Sequence, residues 1–279
     1  MRRFERAVVG LVLVAWLPGL AVLAEAWRAA EFATHGFLVP FVALWAATAH
    51  RETLAALPVR PALVGRIALA VCALAYLAAL VVRQASLLGV VFVATVVALV
   101  LALRGPRWVS CLRFPLFYLV FMIPLPPAWV MPLIVELQLI VSTTAVRGLQ
   151  LFGIPIFREG NVLTLPGDVS LFVAEACSGI TSLITLIPIG VFIAYFTESS
   201  FRRRLVLVLA VLPIALAGNL ARVVLTVLLA IRVDVEYATK GPLHEWAGIA
   251  TYVVGCLCLL GLGAAMRRIW PDPDSALAS

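Results

Sequence analysis

Apolar runs of bilayer length follow one another along the chain, separated by short stretches rich in arginine, proline and glycine. A membrane span needs about 17–25 apolar residues. Runs of that order fall at about 7–24, 34–49, 63–82 and 86–103, and a fifth ends at Ile123-Pro124-Leu125-Pro126-Pro127. Prolines lack amide donors and stop that helix. Helices resume at about 178–196, 204–231 and 244–265. The stretch 128–152 has helical length but carries Glu136, Gln138, Ser142, Thr143, Thr144 and Arg147. That polarity argues against a lipid-exposed span.

Between 153 and 176 the pattern changes to short strand-like runs. Val162-Leu163-Thr164-Leu165 and Val169-Ser170-Leu171-Phe172-Val173 flank Pro166-Gly167-Asp168, which reads as a hairpin-like extramembrane element. Basic residues then orient the set. Placing Arg2/Arg3/Arg6, Arg51/Arg60, Arg104/Arg107, Arg202/Arg203/Arg204 and Arg267/Arg268 on the cytoplasmic side gives a consistent alternation. It does so only if 128–152 does not cross. The expected fold is an all-α polytopic membrane protein of about eight transmembrane helices, with a re-entrant or interfacial helix and a short extracytoplasmic β-hairpin. Residues 1–270 are expected to form one integral membrane domain with both termini cytoplasmic, and 271–279 a disordered cytoplasmic tail.

Composition agrees with this class. Hydrophobic residues make up 64% and charged residues 13%, against roughly 45–50% and about 25% in soluble chains; mean hydropathy is +1.11. The net charge of +7 therefore reads as loop arginines setting topology, not as a nucleic-acid signal. Met1-Arg2-Arg3-Phe4-Glu5-Arg6 before an apolar run resembles a signal peptide, but without a small-residue cleavage site it reads as a retained first helix. None of the five cysteines has metal-ligand spacing with a histidine. Neither a metal nor a cofactor is expected.

Candidate chemistry gathers in the last three helices. Cys177, in Glu175-Ala176-Cys177-Ser178-Gly179-Ile180, stands where a polar loop opens an apolar helix. A thiol there meets the positive end of the peptide dipoles, which favours the nucleophilic thiolate; the alternative is a small apolar residue packed between helices. Ser178, Thr181, Ser182 and Thr185 form a polar stripe suited to interhelical hydrogen bonds. Asn219, Arg222 and Thr226 share one helix face. An arginine within a span costs at least about 2.5–3.5 kcal/mol unless it finds a partner, water or the interface. Snorkelling, or pairing with Glu175 or Glu136, is the structural alternative to a functional Arg222. His244, beside Glu245, opens the last helix, with Gly248, Thr251 and Gly255 on one face; its ordinary titration range suits a proton shuttle.

These residues divide the labour of acyl transfer. On this reading Cys177 would be the nucleophile, His244 the general acid and base, and Arg222 the oxyanion or substrate stabiliser. Two other readings stand beside this one: a non-enzymatic transporter or exopolysaccharide-assembly component with Arg222 binding an anion, and a serine enzyme using Ser178. Ser178 lacks a GxSxG elbow.

At these residues the chain resembles the exosortase/archaeosortase family, specifically bacterial exosortase. The resemblance runs through His35-Gly36-Phe37-Leu38-Val39-Pro40, Met122-Ile123-Pro124-Leu125-Pro126, Gly153-Ile154-Pro155 and Arg158-Glu159-Gly160-Asn161. It is densest in Ala174-Glu175-Ala176-Cys177-Ser178-Gly179-Ile180 with Ser182-Leu183, then Asn219-Leu220-Ala221-Arg222 and His244-Glu245-Trp246-Ala247-Gly248. It implies a membrane cysteine transpeptidase that recognises a C-terminal sorting signal on exported proteins: a short motif such as Pro-Glu-Pro, a transmembrane helix and a basic tail. Cleavage would pass the protein to an acceptor nucleophile, with polysaccharide and lipid-linked groups as candidates. The resemblance places the enzyme in the bacterial inner membrane among its lipids, with the site on the extracytoplasmic face and no nucleic-acid partner. Cys177, Arg222 and His244 match the family's Cys, Arg and His; Glu175, Ser178, Asn219, Glu159 and Asn161 are the supporting or substrate-binding candidates. The 155–173 hairpin is a candidate to bind the recognition motif by strand addition.

Overall fold

In an apolar medium every backbone amide and carbonyl must be paired within the structure, and a continuous helix does this locally. The computed structural model describes residues 2–160, 162–167, 169–172 and 180–270, and its contacts divide the chain into two units, Met1–Pro127 and Ala128–Ser279.

The first unit contains α1 (Arg2–Ala29), a 3-10 segment (Glu31–Phe37), α2 (Val39–Thr48), α3 (Arg51–Ala56), α4 (Leu63–Val82) and α5 (Ala85–Leu103). Then come α6 (Pro106–Cys111), α7 (Arg113–Tyr118) and a second 3-10 segment (Leu119–Met122). The run expected at 34–49 is an apolar helical stretch, Phe32–Thr48, of mixed type. Its first part is 3-10; at Leu38, whose backbone stays right-handed helical (φ −85°, ψ −29°), it passes into α2, with Pro40 in the first turn, where a missing amide costs nothing. α4 and α5 approach backbone to backbone at Gly65, where a Cβ would stand 2.3 Å from Ala102 N.

Prolines 124, 126 and 127 end the fifth run and leave last-turn carbonyls without helical partners. Side chains supply them. Trp27 Nε1 donates to Met122 O at 2.8 Å, His35 Nε2 to Phe121 O at 3.0 Å, and Ser86 Oγ to Pro124 O at 2.6 Å. Gly36 lies flat against Trp27; a Cβ there would come within 2.4 Å of the indole nitrogen. The segments around His35 and Met122, singled out by resemblance, thus meet in one hydrogen-bonded knot.

The second unit runs through α8 (Pro127–Leu151), strands β1 (Phe157–Glu159), β2 (Val162–Leu165) and β3 (Val169–Phe172), then α9 (Ile180–Thr197), α10 (Phe201–Arg232), α11 (Val235–Lys240) and α12 (Pro242–Ile269). The expected two-stranded hairpin is a three-stranded antiparallel sheet in the order β1-β2-β3. Gly160, at φ 56°, turns β1 onto β2, pairing Phe157 with Thr164; Leu163 pairs with Leu171 on the other side. Alternation along β2 sends Leu163 and Leu165 inward with Leu171 and Ile156. They pack on Val141, Ala145 and Leu149 of α8 and on Val223 and Val227 of α10. Each such leucine contributes about 1.5–3 kcal/mol by leaving water, which seats the sheet on one stretch of α10.

Six helices among the described residues are long and apolar enough to cross a membrane: Glu5–Ala29, Leu63–Val82, Ala85–Leu103, Pro127–Leu151, Phe201–Arg232 and Trp246–Ile269. Phe32–Thr48, Arg113–Met122 and Ile184–Thr197 are shorter apolar helices. Pro127–Leu151, expected not to cross because of its polarity, meets the criteria of length and composition. Its hydroxyls explain the difference: Thr143 donates to Leu139 O at 2.6 Å and Thr144 to Ile140 O at 2.8 Å. Back-bonding of this kind hides polarity within the helix.

One end of the second unit is tied by charge. Glu198, just beyond α9, is buried; its Oε2 accepts from Arg203 Nε at 2.6 Å and its Oε1 accepts from Arg267 Nη1. Arg203 also donates to Trp270 O at 2.7 Å, so α9, α10 and α12 are joined at their arginine-rich end. Removing one partner of a buried pair costs about 3–5 kcal/mol because the other charge stays buried. Glu198→Ala is therefore expected to lower stability by about that amount, read as a reduced thermal midpoint of the detergent-solubilised protein. An unchanged midpoint would show that the pair contributes nothing.

Candidate functional site

The site is built on α10, whose 32 residues rise about 48 Å at the usual pitch. Arg202, Arg203 and Arg204 stand at its start. Asn219, Arg222 and Thr226 lie on one stripe beyond its middle, at 1%, 9% and 3% exposure. The periodicity read from the sequence is thus an inward-facing polar stripe. It lies about 27 Å along the helix from Arg204, by rise per residue.

Small residues bring α12 against this stripe. A methyl at Gly218 would stand 2.8 Å from Thr251 Cγ2, and one at Gly248 would stand 3.5 Å from Arg222 Nη2 and 3.7 Å from Nη1. Gly255 faces Ile214 and Gly263 faces Leu207 in the same way. The four pairs keep one antiparallel register over the length of the two helices. Gly248 leaves room for the planar guanidinium, and its i−4 neighbour on the same face of α12 is His244. The backbone of His244 belongs to the first turn of α12; its side chain lies outside the described set.

α9 enters by a second register. Thr185 Oγ1 donates to Tyr252 Oη at 2.7 Å, Leu186 lies on Gly255, and Glu198 meets Arg267. These contacts run parallel along α9 and α12. Carried one turn further, they bring Ile180, the first described residue of α9, level with 247–249. Gly190, whose added Cβ would be 2.3 Å from Val211 Cγ2, sets the antiparallel register of α9 with α10 and puts Ile180 level with Ala221 and Arg222. Tyr252 was passed over in the sequence; its signal was a polar-tipped aromatic in an apolar helix one turn beyond Gly248.

Between α10 and α12 opens a cavity of about 430 Å³, lined by Ala217, Gly218, Ala221, Ala247, Ala250 and Thr251 among others. Arg222 is the charged residue in that lining. A cation at the wall of an otherwise apolar cavity is suited to an anion or a polarised carbonyl, because a low dielectric strengthens such contacts.

Asn219 is of a different kind. Its Nδ2 and Oδ1 are both buried and have no hydrogen-bond partner among the described residues. Leaving such an amide unsatisfied costs about 1–3 kcal/mol.

The remaining candidates are spread unevenly. Glu159 is exposed at the end of β1 and does not line the cavity. Glu136, weighed above as a partner of Arg222, is exposed on α8. Cys177, Glu175, Ser178 and Asn161 lie outside the described residues. Among the described residues no three His, Cys, Asp or Glu side chains form a group able to hold a metal ion.

A protein-family model described as transmembrane exosortase matches residues 27–261. The chain belongs to the transmembrane exosortase family. That match covers both helical units, and with the six long apolar helices it makes the chain a multi-pass membrane protein. No curated protein and no solved structure gives a significant match.

The state of Asn219 yields a test. Asn219→Leu removes two unpaired buried polar atoms at nearly constant volume, so stability is expected to hold or rise by about 1–3 kcal/mol. Thermal unfolding in detergent measures this. A fall in the midpoint would mean that the amide is satisfied in the folded protein.

Proposed function

We propose that the protein is a membrane-embedded cysteine transpeptidase. It cleaves a C-terminal sorting signal from exported proteins and passes them to an acceptor nucleophile or to water. The observation that carries this reading is the guanidinium of Arg222 buried against Gly248, one turn from His244 and level with the start of α9. Cys177 precedes Ile180 by three residues, which limits its Cα to about 11 Å from that point.

The Cys177 thiolate attacks the scissile carbonyl carbon, forming a C–S bond while the oxyanion develops beside Arg222. The C–N bond then breaks, and His244 protonates the departing amine. The acceptor attacks the resulting thioester, giving its proton to His244, and breakage of the C–S bond restores the thiolate. Asn219, Glu175 and Ser178 support the substrate around the nucleophile. The edge strand β3, which precedes Cys177 in the chain, offers backbone groups to an extended recognition motif by strand addition, with Glu159 at the other edge of the sheet and Asn161 as a further substrate-binding candidate. The protein sits in the bacterial inner membrane with the site on the extracytoplasmic face, away from Arg202–Arg204 and Arg267–Arg268. The substrate is an exported protein carrying a recognition motif, a transmembrane helix and a basic tail.

Processing of a C-terminally tagged substrate in cells, at matched expression, tests the assignment. Cys177→Ala is expected to abolish tag removal. Arg222→Lys keeps the charge but loses the planar fork, and should reduce the rate about 10²–10³-fold, as loss of an oxyanion donor does. Tag removal by Cys177→Ala at the wild-type rate would overturn the mechanism.

A further inference from the structure

The first unit holds a groove of about 860 Å³ that the transpeptidase reading does not use. Its walls are α1, from Glu5 to Trp16, and α4, from Arg66 to Tyr76, with Thr95, Ala102 and Leu103 of α5 behind. Between the charged mouth and the floor its lining is apolar, including Val8, Val12, Leu69 and Ala73.

The two ends differ in chemistry. At the mouth, Glu5 is neutralised by Arg104, whose Nη2 lies 2.9 Å from its Oε2, and the Arg104 guanidinium also lies over the Trp108 ring. Arg66 lines the same mouth and is exposed; no ion pair or hydrogen bond joins its side chain to another described residue. The mouth therefore presents one uncompensated positive charge. At the floor, Trp16 and Tyr76 meet with ring centroids 4.3 Å apart, and Tyr76 Oη donates to Ala15 O at 2.8 Å. Below them α1 closes on α4 at Gly19, where a methyl would stand 2.8 Å from the Tyr76 ring.

Depth selects the occupant. Eleven residues of α1 separate Glu5 from Trp16, about 16 Å of helix. That is half of the roughly 30 Å hydrocarbon core, so the groove is as deep as one leaflet. A transmembrane helix would run on for the other half and collide with the Trp16–Tyr76 floor. An acyl chain ends there. Basic pockets between helices near the membrane surface are suited to anionic headgroups.

We propose that this groove is a binding site for one anionic phospholipid of the leaflet at its Glu5–Arg66 mouth, its phosphate on Arg66 and its acyl chain between α1 and α4. The site is independent of the transpeptidase reading. The full chain, purified in mild detergent, is titrated with phosphatidylglycerol or with phosphatidylcholine of the same chains, and retained lipid is counted by native mass spectrometry. The wild type is expected to retain one phosphatidylglycerol at least about fivefold more strongly than phosphatidylcholine, the order of one surface arginine. Arg66→Gln should level the two lipids, and Ala73→Phe, which fills the groove wall without touching the mouth, should weaken both. Circular dichroism of the variants checks that they are folded. Equal retention of the two lipids by the wild type, or wild-type retention by both folded variants, overturns the proposal. Displacement by inorganic phosphate alone, or by an apolar transmembrane peptide, also overturns it in favour of a free-anion or helix site.

Discussion

A guanidinium buried beyond the middle of an apolar helix is the constraint from which the second unit follows. Arg222 cannot be left against hydrocarbon without a cost of at least about 2.5 kcal/mol, and no bulky residue can stand opposite it. Gly248 meets the second condition, because its missing side chain leaves the guanidinium 3.5 Å from where a Cβ would be. Once that contact is set, the antiparallel register of α10 and α12 is set from Gly218 to Gly263. Small residues recur along the shared face because the helices must stay close over that whole length.

The same register ties the two ends of the unit to each other. Glu198, Arg203 and Arg267 join α9, α10 and α12 at the end rich in arginine, and Thr185 with Tyr252 joins α9 to α12 nearer Arg222. A shift of α9 by one turn, about 5.4 Å, would break both contacts together. The level of the α9 start relative to Arg222 is therefore held by bonds well away from it. That matters because the residues just before Ile180 carry the candidate nucleophile.

Much of this was legible in the sequence where periodicity was the signal. Asn219, Arg222 and Thr226 at helical spacing do form one buried stripe, and the small-residue face at Gly248, Thr251 and Gly255 does meet α10. Periodicity failed where local hydrogen bonding overrides it. The run at 34–49 is continuous in hydropathy and does form an apolar helical stretch, but its pattern does not show the change from 3-10 to α at Leu38, with Gly36 pressed on Trp27 and Pro40 in the first turn of α2. In 128–152 the hydroxyls weigh less than their count, because Thr143 and Thr144 turn back onto carbonyls of their own helix, and the helix has the length and composition of a candidate span. Phe157-Arg158-Glu159 lies in the stretch read as strand-like but has too little alternation to show its pairing as a third strand, which depends on the turn at Gly160, at φ 56°. The buried pair of Glu198 and Arg203 was equally hidden, since the sequence shows only an acidic residue near a basic loop.

Asn219 separates fitness for folding from fitness for function. A leucine there would remove two unpaired buried polar atoms and extend the apolar packing around Ala215 and Val223. Among the described residues no contact gives folding a reason for an amide at this position. Stability held back beside a charged cavity is the usual mark of a site shaped by what it binds, and Asn219 stands one turn from Arg222 on the same stripe. The burial of Arg222 is compatible with a structural role for its charge; an unpaired amide beside it is not explained by that role. On the proposed reading, the pairing of the two, a buried cation and an amide with both a donor and an acceptor to offer, suits a peptide group better than a simple anion. A free anion would use the donor and leave the acceptor unsatisfied, whereas a peptide backbone can engage both.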